Sequence, residues 1–197
     1  MAKVYVVQTG QTTWETQERV ESTAGAPLTA QGKRTVQATA ERLTKERIGA
    51  IYAGTGEAEL QTARLLAKAL GLKVRKNQDL REIDYGLWQG LTVEEIKRRQ
   101  PKVLKQWNED PSSVRPPGGE TIQGARRRLI TALKEIIKRR KNGPALFVLR
   151  PIAAALVRCT FEVGRIESLW NYVAPDFNWC MYELDANLLE RVVEPAG

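Results

Sequence analysis

One side chain that commonly moves protons near neutral pH is missing altogether: none of the 197 residues is histidine. Imidazole has the ordinary pKa that suits a neutral nucleophile or proton carrier at pH 7. Its absence excludes phosphohistidine chemistry, histidine-based triads and imidazole-ligated metal sites. Two cysteines, Cys159 and Cys180, sit among apolar residues without CxxC spacing. Buried thiols in a reducing compartment are therefore expected, and zinc is not. Carboxylates, arginines and hydroxyls remain. Glu82 stands in a loop-like stretch with Tyr85 and Trp88, Arg150 stands between an apolar run and Pro151, and Gln8-Thr9-Gly10-Gln11 follows the first β-rich run. A threonine is a poor nucleophile unless a base takes its proton, and arginine stays protonated at any relevant pH.

Alternating strand-like and helix-like segments must position these residues. Lys3–Val7 is β-rich. Thr29 is placed to cap a helix with Val36, Ala40 and Leu43 on one face. Ile48–Ala53 gives a second strand, and Glu57–Leu70 a helix that Gly71 stops. A short basic strand is predicted over Leu72–Arg75. Thr92-Val93-Glu94-Glu95 has the capping-box pattern, and Pro101 restarts the helix toward Trp107. A loop over Asp110–Gly119 leads to the longest helix, Thr121–Lys141, with Ile122, Ala125, Leu129, Ala132, Leu133 and Ile136 facing inward. Ala145–Leu149 is apolar throughout, as in a parallel strand buried on both faces. A helix over Pro151–Glu162 follows, and Trp179–Asp185 and Leu188–Glu194 are predicted to pair around Ala186-Asn187.

The pattern predicts an α/β fold: three layers, αβα, with a mainly parallel sheet, helices on both faces and an antiparallel C-terminal edge. No repeat or linker divides the chain, so residues 1–197 are expected to form a single domain. With 42% apolar and 27% charged residues the chain can bury a core. Its apolar runs are too short for a membrane span, and its first residues lack the long apolar segment of a signal peptide. A cytoplasmic protein is expected. A net charge of +8 permits acidic partners without requiring them. Arg126, Arg127, Arg128, Lys138, Arg139, Arg140 and Lys141 concentrate that charge on the long helix. A solvated helix face is the default reading, and a surface for nucleic acid or acidic partners is the alternative.

Five motifs in order resemble the histidine phosphatase superfamily, with its phosphoglycerate mutase-like fold. Gln8-Thr9-Gly10-Gln11-Thr12 with Trp14 corresponds to the family's opening Arg-His-Gly-Glu-Thr and Trp. Pro27-Leu28-Thr29 with Gly32, Ala50-Ile51-Tyr52 through Gln61-Thr62-Ala63, and Leu80-Arg81-Glu82 through Gly86, Trp88 and Gly90 follow; Gly118-Gly119-Glu120 also fits. The resemblance runs from Val4 to about Val193. It implies that the phosphorylated histidine is replaced by Thr9, the arginine before it by Gln8, the second arginine by Ala58, and the second histidine by Arg150 in Leu149-Arg150-Pro151. The glutamate resembling the family's proton donor remains as Glu82.

The expectation is thus a degenerate, catalytically inactive member with no catalytic residues, cofactor or metal. Gln8, Thr9, Gly10, Gln11, Glu82, Trp88 and Arg150 are its candidate pocket residues, for a small anionic ligand or a protein partner. Two alternatives stand beside it: a repurposed phosphatase using Glu82 with Arg150, and a basic module that binds nucleic acid or acidic partners. For Arg150 itself, an anion in the pocket competes with Glu82 or another local carboxylate.

Overall fold

The computed structural model describes residues 2–21, 25–140, 143–162, 166–174 and 176–185. Five strands form one sheet: β1 Ala2–Gln8, β2 Ala50–Ala53, β3 Val74–Lys76, β4 Ala145–Leu149 and β5 Trp179–Leu184, in the order β3-β2-β4-β1-β5. The first four run parallel, and β5 pairs antiparallel with β1 at the edge. The predicted α/β class and its antiparallel C-terminal edge are therefore present. The partner segment Leu188–Glu194 expected for β5 lies outside the described residues, as does Lys141.

Alternation along the strands sorts the core into two layers. Tyr5, Val7, Ile51, Ala53, Leu146 and Val148 pack against α1 (Ala30–Leu43) and α2 (Glu57–Leu70). Val4, Val6, Tyr52, Phe147 and Leu149 pack on the other face, against α5 (Ile122–Arg139) and α6 (Pro151–Phe161). The short helices α3 (Val93–Arg99) and α4 (Pro101–Glu109) close that side. All five residues of β4 are buried, as its unbroken apolar run demands at the centre of a parallel sheet.

The local signals act where the sequence put them. Thr29 caps α1 by accepting from the Gly32 amide, and Thr92 and Glu95 form the capping box of α3. Gly71 ends α2 at φ +65°, a left-handed conformation that costs glycine least. Some elements depart from expectation. The second strand begins at Ala50 rather than Ile48, the basic edge strand starts two residues later and ends one later than predicted, at Val74–Lys76, and a 3-10 helix at Ile166–Tyr172 has no periodic signal. Among the described residues, no helix is long and apolar enough to cross a membrane.

Candidate functional site

β1 and β4 run in register to their last residues, Gln8 opposite Leu149. Thr9 and Arg150 therefore leave the sheet side by side at its carboxyl edge, where open α/β sheets place their ligand crevice. The Thr9 amide donates to the Leu149 carbonyl at 2.9 Å, and the Gly10 amide donates to the Thr62 hydroxyl at 3.1 Å. A cavity of about 610 Å³ opens here, with Gln8, Thr9, Gly10, Gln11, Glu15, Asp176 and Asn178 among its lining residues.

The loop after β1 is held by close backbone packing. A Cβ on Gly10 would come within 2.7 Å of the Gly32 carbonyl oxygen, and one on Gly32 within 2.3 Å of the Gln11 carbonyl oxygen. The first turn of α1 thus rests directly on the Gly10-Gln11 backbone. Thr29 adds two contacts: its amide donates to the Gln11 carbonyl at 2.9 Å and its hydroxyl to Gln11 Oε1 at 3.0 Å.

Arg150 lies behind the cavity wall. Its Nη2 is 3.0 Å from Glu21 Oε2 and 3.2 Å from Glu15 Oε1, and its Nη1 is 3.5 Å from the Thr9 hydroxyl. The Arg150 and Glu21 side chains are only 3% and 1% exposed. Glu21 also accepts from the Thr12 hydroxyl at 2.6 Å and the Ala26 amide at 2.7 Å, and Glu15 accepts from the Thr12 amide at 2.9 Å. Burial works against the guanidinium charge, but Glu15 and Glu21 outweigh it and the Arg150 pKa is raised. Burial likewise raises the Glu15 carboxyl, with Arg150 opposing. Glu59, at the start of α2, is raised by burial against the same opposing charge.

Glu82 is fully buried and takes a different post. Its oxygens accept from the amides of Ile152 at 2.9 Å, Ala153 at 2.8 Å and Ile83 at 2.8 Å. It thereby satisfies two orphan donors in the first turn of α6, where a carboxylate also meets the positive end of the helix dipole. Burial nonetheless pushes its carboxyl up to about 7, with Arg150 and the backbone donors pulling the other way and Glu59 adding to the rise. Arg150 meets Glu21 and Glu15 directly; Glu82 feels it only at longer range.

The structure thus brings together Gln8, Thr9, Gly10 and Gln11 on the cavity wall, and sets Arg150 and Glu82 behind it. Ala58 is buried between α2 and the sheet. Trp88, expected on the pocket, is instead a core residue: its ring meets Trp107 edge-on at 5.8 Å, and its indole N–H donates to Gln100 at 2.9 Å. A buried indole needs such an acceptor, and α4 with the residue before it supplies both ring and amide. Sequence reasoning missed Glu15, Glu21 and Glu59. The one signal for them was indirect: an arginine flanked by apolar residues needs a carboxylate if it is buried.

Among the described residues, no group of three or more cysteines and carboxylates is placed to hold a metal ion. Cys159 and Cys180 form no disulfide, and burial raises both thiol pKa values.

The chain is 25% identical over 185 residues to phosphoserine phosphatase 1 of Hydrogenobacter thermophilus, spanning 94% of this chain and 88% of the relative. It is 29% identical over 167 residues to phosphoglycerate mutase-like protein 4 of Arabidopsis thaliana, spanning 83% and 71%. The fold superposes on Bacillus stearothermophilus YhfR with a TM-score of 0.88 at 24% identity, over 94% and 93% of the two chains. For a mycobacterial glucosyl-3-phosphoglycerate phosphatase the TM-score is 0.82 at 22% identity, over 96% and 94%. A family model for the histidine phosphatase superfamily (branch 1) matches residues 4–192. With the sheet order and the loops at its carboxyl edge, that match makes the chain a member of the histidine phosphatase superfamily.

Proposed function

We propose that this protein is a non-catalytic member of its superfamily, a pseudophosphatase whose pocket binds a ligand without turning it over. One observation carries the reading: the buried cluster in which Arg150 is ion-paired to Glu21 and Glu15. Phosphoryl transfer depends on positioning and on neutralising the charge of the equatorial oxygens. Arg150, the cation behind the wall, is already neutralised by the protein's own carboxylates. Gln8 offers hydrogen bonds without charge, and Ala58 is packed into the core. Losing one preorganised donor of this kind costs about 2.7–4 kcal/mol of transition-state stabilisation.

The nucleophile fares no better. The Thr9 hydroxyl has the Arg150 guanidinium beside it at 3.5 Å, and a guanidinium does not accept a proton. Glu82, the acid of the alternative repurposed phosphatase, has its oxygens engaged by three backbone amides and lines no part of the cavity.

The same charges bear on the occupant. A small anion is the expectation from sequence, but the wall combines amides and hydroxyls with apolar Val173, Ala174 and Phe177, and has Glu15 and Asp176 at hand. An uncharged or cationic polar molecule suits that wall better than a phosphate. A reducing, cytoplasmic setting fits Cys159 and Cys180 remaining thiols.

The test is hydrolysis of para-nitrophenyl phosphate from about pH 4 to pH 9, a span that covers the useful range of carboxylate catalysts. No turnover above the rate without protein is expected. Turnover that Glu82→Gln abolishes would overturn the reading.

A further inference from the structure

A second cleft lies on the α5 face of the sheet, toward the amino-terminal ends of the strands and away from Thr9 and Arg150. It has a volume of about 400 Å³ and opens between the start of β2, the edge strand β3 and the last turn of α5. Tyr52 and Arg75 are register partners across β2 and β3, so their side chains leave the same face of the sheet. The Arg75 guanidinium lies over the Tyr52 ring at 5.7 Å, with Nη1 3.5 Å from its hydroxyl. From the far side, the end of α5 brings Arg139 and Arg140 to the same cleft. Two basic stretches far apart in sequence therefore converge on one cavity.

No carboxylate is among the described residues that line it. Arg139 pairs with Glu135 at 3.5 Å, but both side chains are largely exposed, and such pairs contribute little. Arg140 donates through Nη2 to the Gly143 carbonyl at 2.5 Å, and burial lowers its pKa, with Tyr52 opposing and the positive charge of Arg75 adding to the fall. A basic helix end complements the helix dipole, and a charged residue on an edge strand discourages stray pairing. Neither reason requires the two to face one cavity.

We propose that this cleft binds a small anion carrying more than one phosphate group, gripped by Arg75 and Arg139 with the positive charge of Arg140 beside them. Guanidinium forks match phosphate oxygens in bidentate geometry. Two such forks with a third cation beside them call for a multiply charged ligand, and the volume falls within the range of small-molecule sites. An extended nucleic-acid track is disfavoured by the remaining arginines of α5. Arg128 turns inward to Glu120 at 2.7 Å, and Arg126 donates to the Thr160 hydroxyl at 3.1 Å.

Titration calorimetry of the full chain with inorganic tripolyphosphate at low salt tests the site. One-site binding is expected, weakening as salt rises and falling about tenfold or more in Arg75→Gln or Arg139→Gln. These are exposed positions where the fold tolerates the change, and Arg127→Gln serves as a control that leaves binding intact. Absence of binding, or binding unchanged in the Arg75→Gln and Arg139→Gln double variant, would overturn the proposal. So would equal affinity for orthophosphate, tighter binding of duplex RNA than of tripolyphosphate, or loss of binding in Gln11→Ala alone, which would place the anion in the other pocket.

Discussion

Arg150 and Glu21 meet at 3.0 Å in the interior, at positions 129 residues apart in sequence, with almost no solvent reaching either side chain. The same Nη2 serves Glu15 at 3.2 Å. Breaking a buried pair from one side leaves an uncompensated charge and costs about 3–5 kcal/mol. Arg150→Met is expected to destabilise the fold by about that much, as read from urea denaturation. Replacing all three members at once, Arg150→Met with Glu15→Gln and Glu21→Gln, is expected to cost less than the sum of the separate changes. Additive losses would mean that the three do not act as a unit.

Glu82 gives the fold a pH dependence of definite sign. Its folded pKa of about 7 lies above the ordinary value of 4.5. Between those values the folded protein holds a proton that the unfolded chain releases, so this contribution is fully present below about pH 4.5 and is lost as pH rises through 7. Glu15 and Glu59 are raised too and add in the same direction. With no histidine in the chain, no imidazole titrates in that window. Tm is expected to fall between pH 5 and pH 8 by an amount on the order of 3 kcal/mol in stability, and Glu82→Gln is expected to flatten the profile. The variant also turns an amide N–H₂ toward backbone donors, for about 1–3 kcal/mol at all pH values. A Tm that rises over the same interval would contradict the assignment.

The α1–loop contact sets the shape of the pocket. Gly32→Ala puts a methyl group 2.3 Å from the Gln11 carbonyl oxygen, a backbone atom that cannot swing aside. Overpacking of this sort costs about 1–3 kcal/mol. Thermal denaturation is expected to show the loss, whereas a variant as stable as the parent would mean the loop shifts freely.

Arg128 separates structural charge from surface charge on α5. It bonds both oxygens of Glu120, at 3.0 and 2.7 Å, and the carbonyls of Asp79 and Arg81 at 2.8 and 3.1 Å. These contacts tie the Glu82 loop to the helix. Arg128→Met is expected to cost about 1.5–3 kcal/mol, and Arg127→Met, at an exposed position, within about 0.5 kcal/mol of nothing. Equal effects in chemical denaturation would remove the distinction.

The layers of this fold could be read from periodicity because burial repeats locally: the unbroken run of β4, the stripes of α2 and α5, and the caps at Thr29 and Thr92 all act within a few residues. The Gln8–Gln11 loop and Arg150 could be placed at one edge because parallel strands end together. The partners of Arg150 could not be named. Glu15 and Glu21 reach it through the irregular segment after β1, where no period signals which way a side chain points. Trp88 was misplaced for a related reason: a loop tryptophan looks the same in sequence whether it lines a pocket or packs on Trp107. The convergence of Arg75 with Arg139 and Arg140 depends on sheet order, which hydropathy does not encode.

The most direct test is intact-protein mass spectrometry of the purified chain during incubation with a reactive phosphoryl donor such as acetyl phosphate. The expected spectrum holds a single species at the unmodified mass throughout. A species heavier by one phosphoryl group, mapped to Thr9 and turning over as substrate is consumed, would contradict the claim that Arg150 and its carboxylates have replaced the phosphate-handling centre.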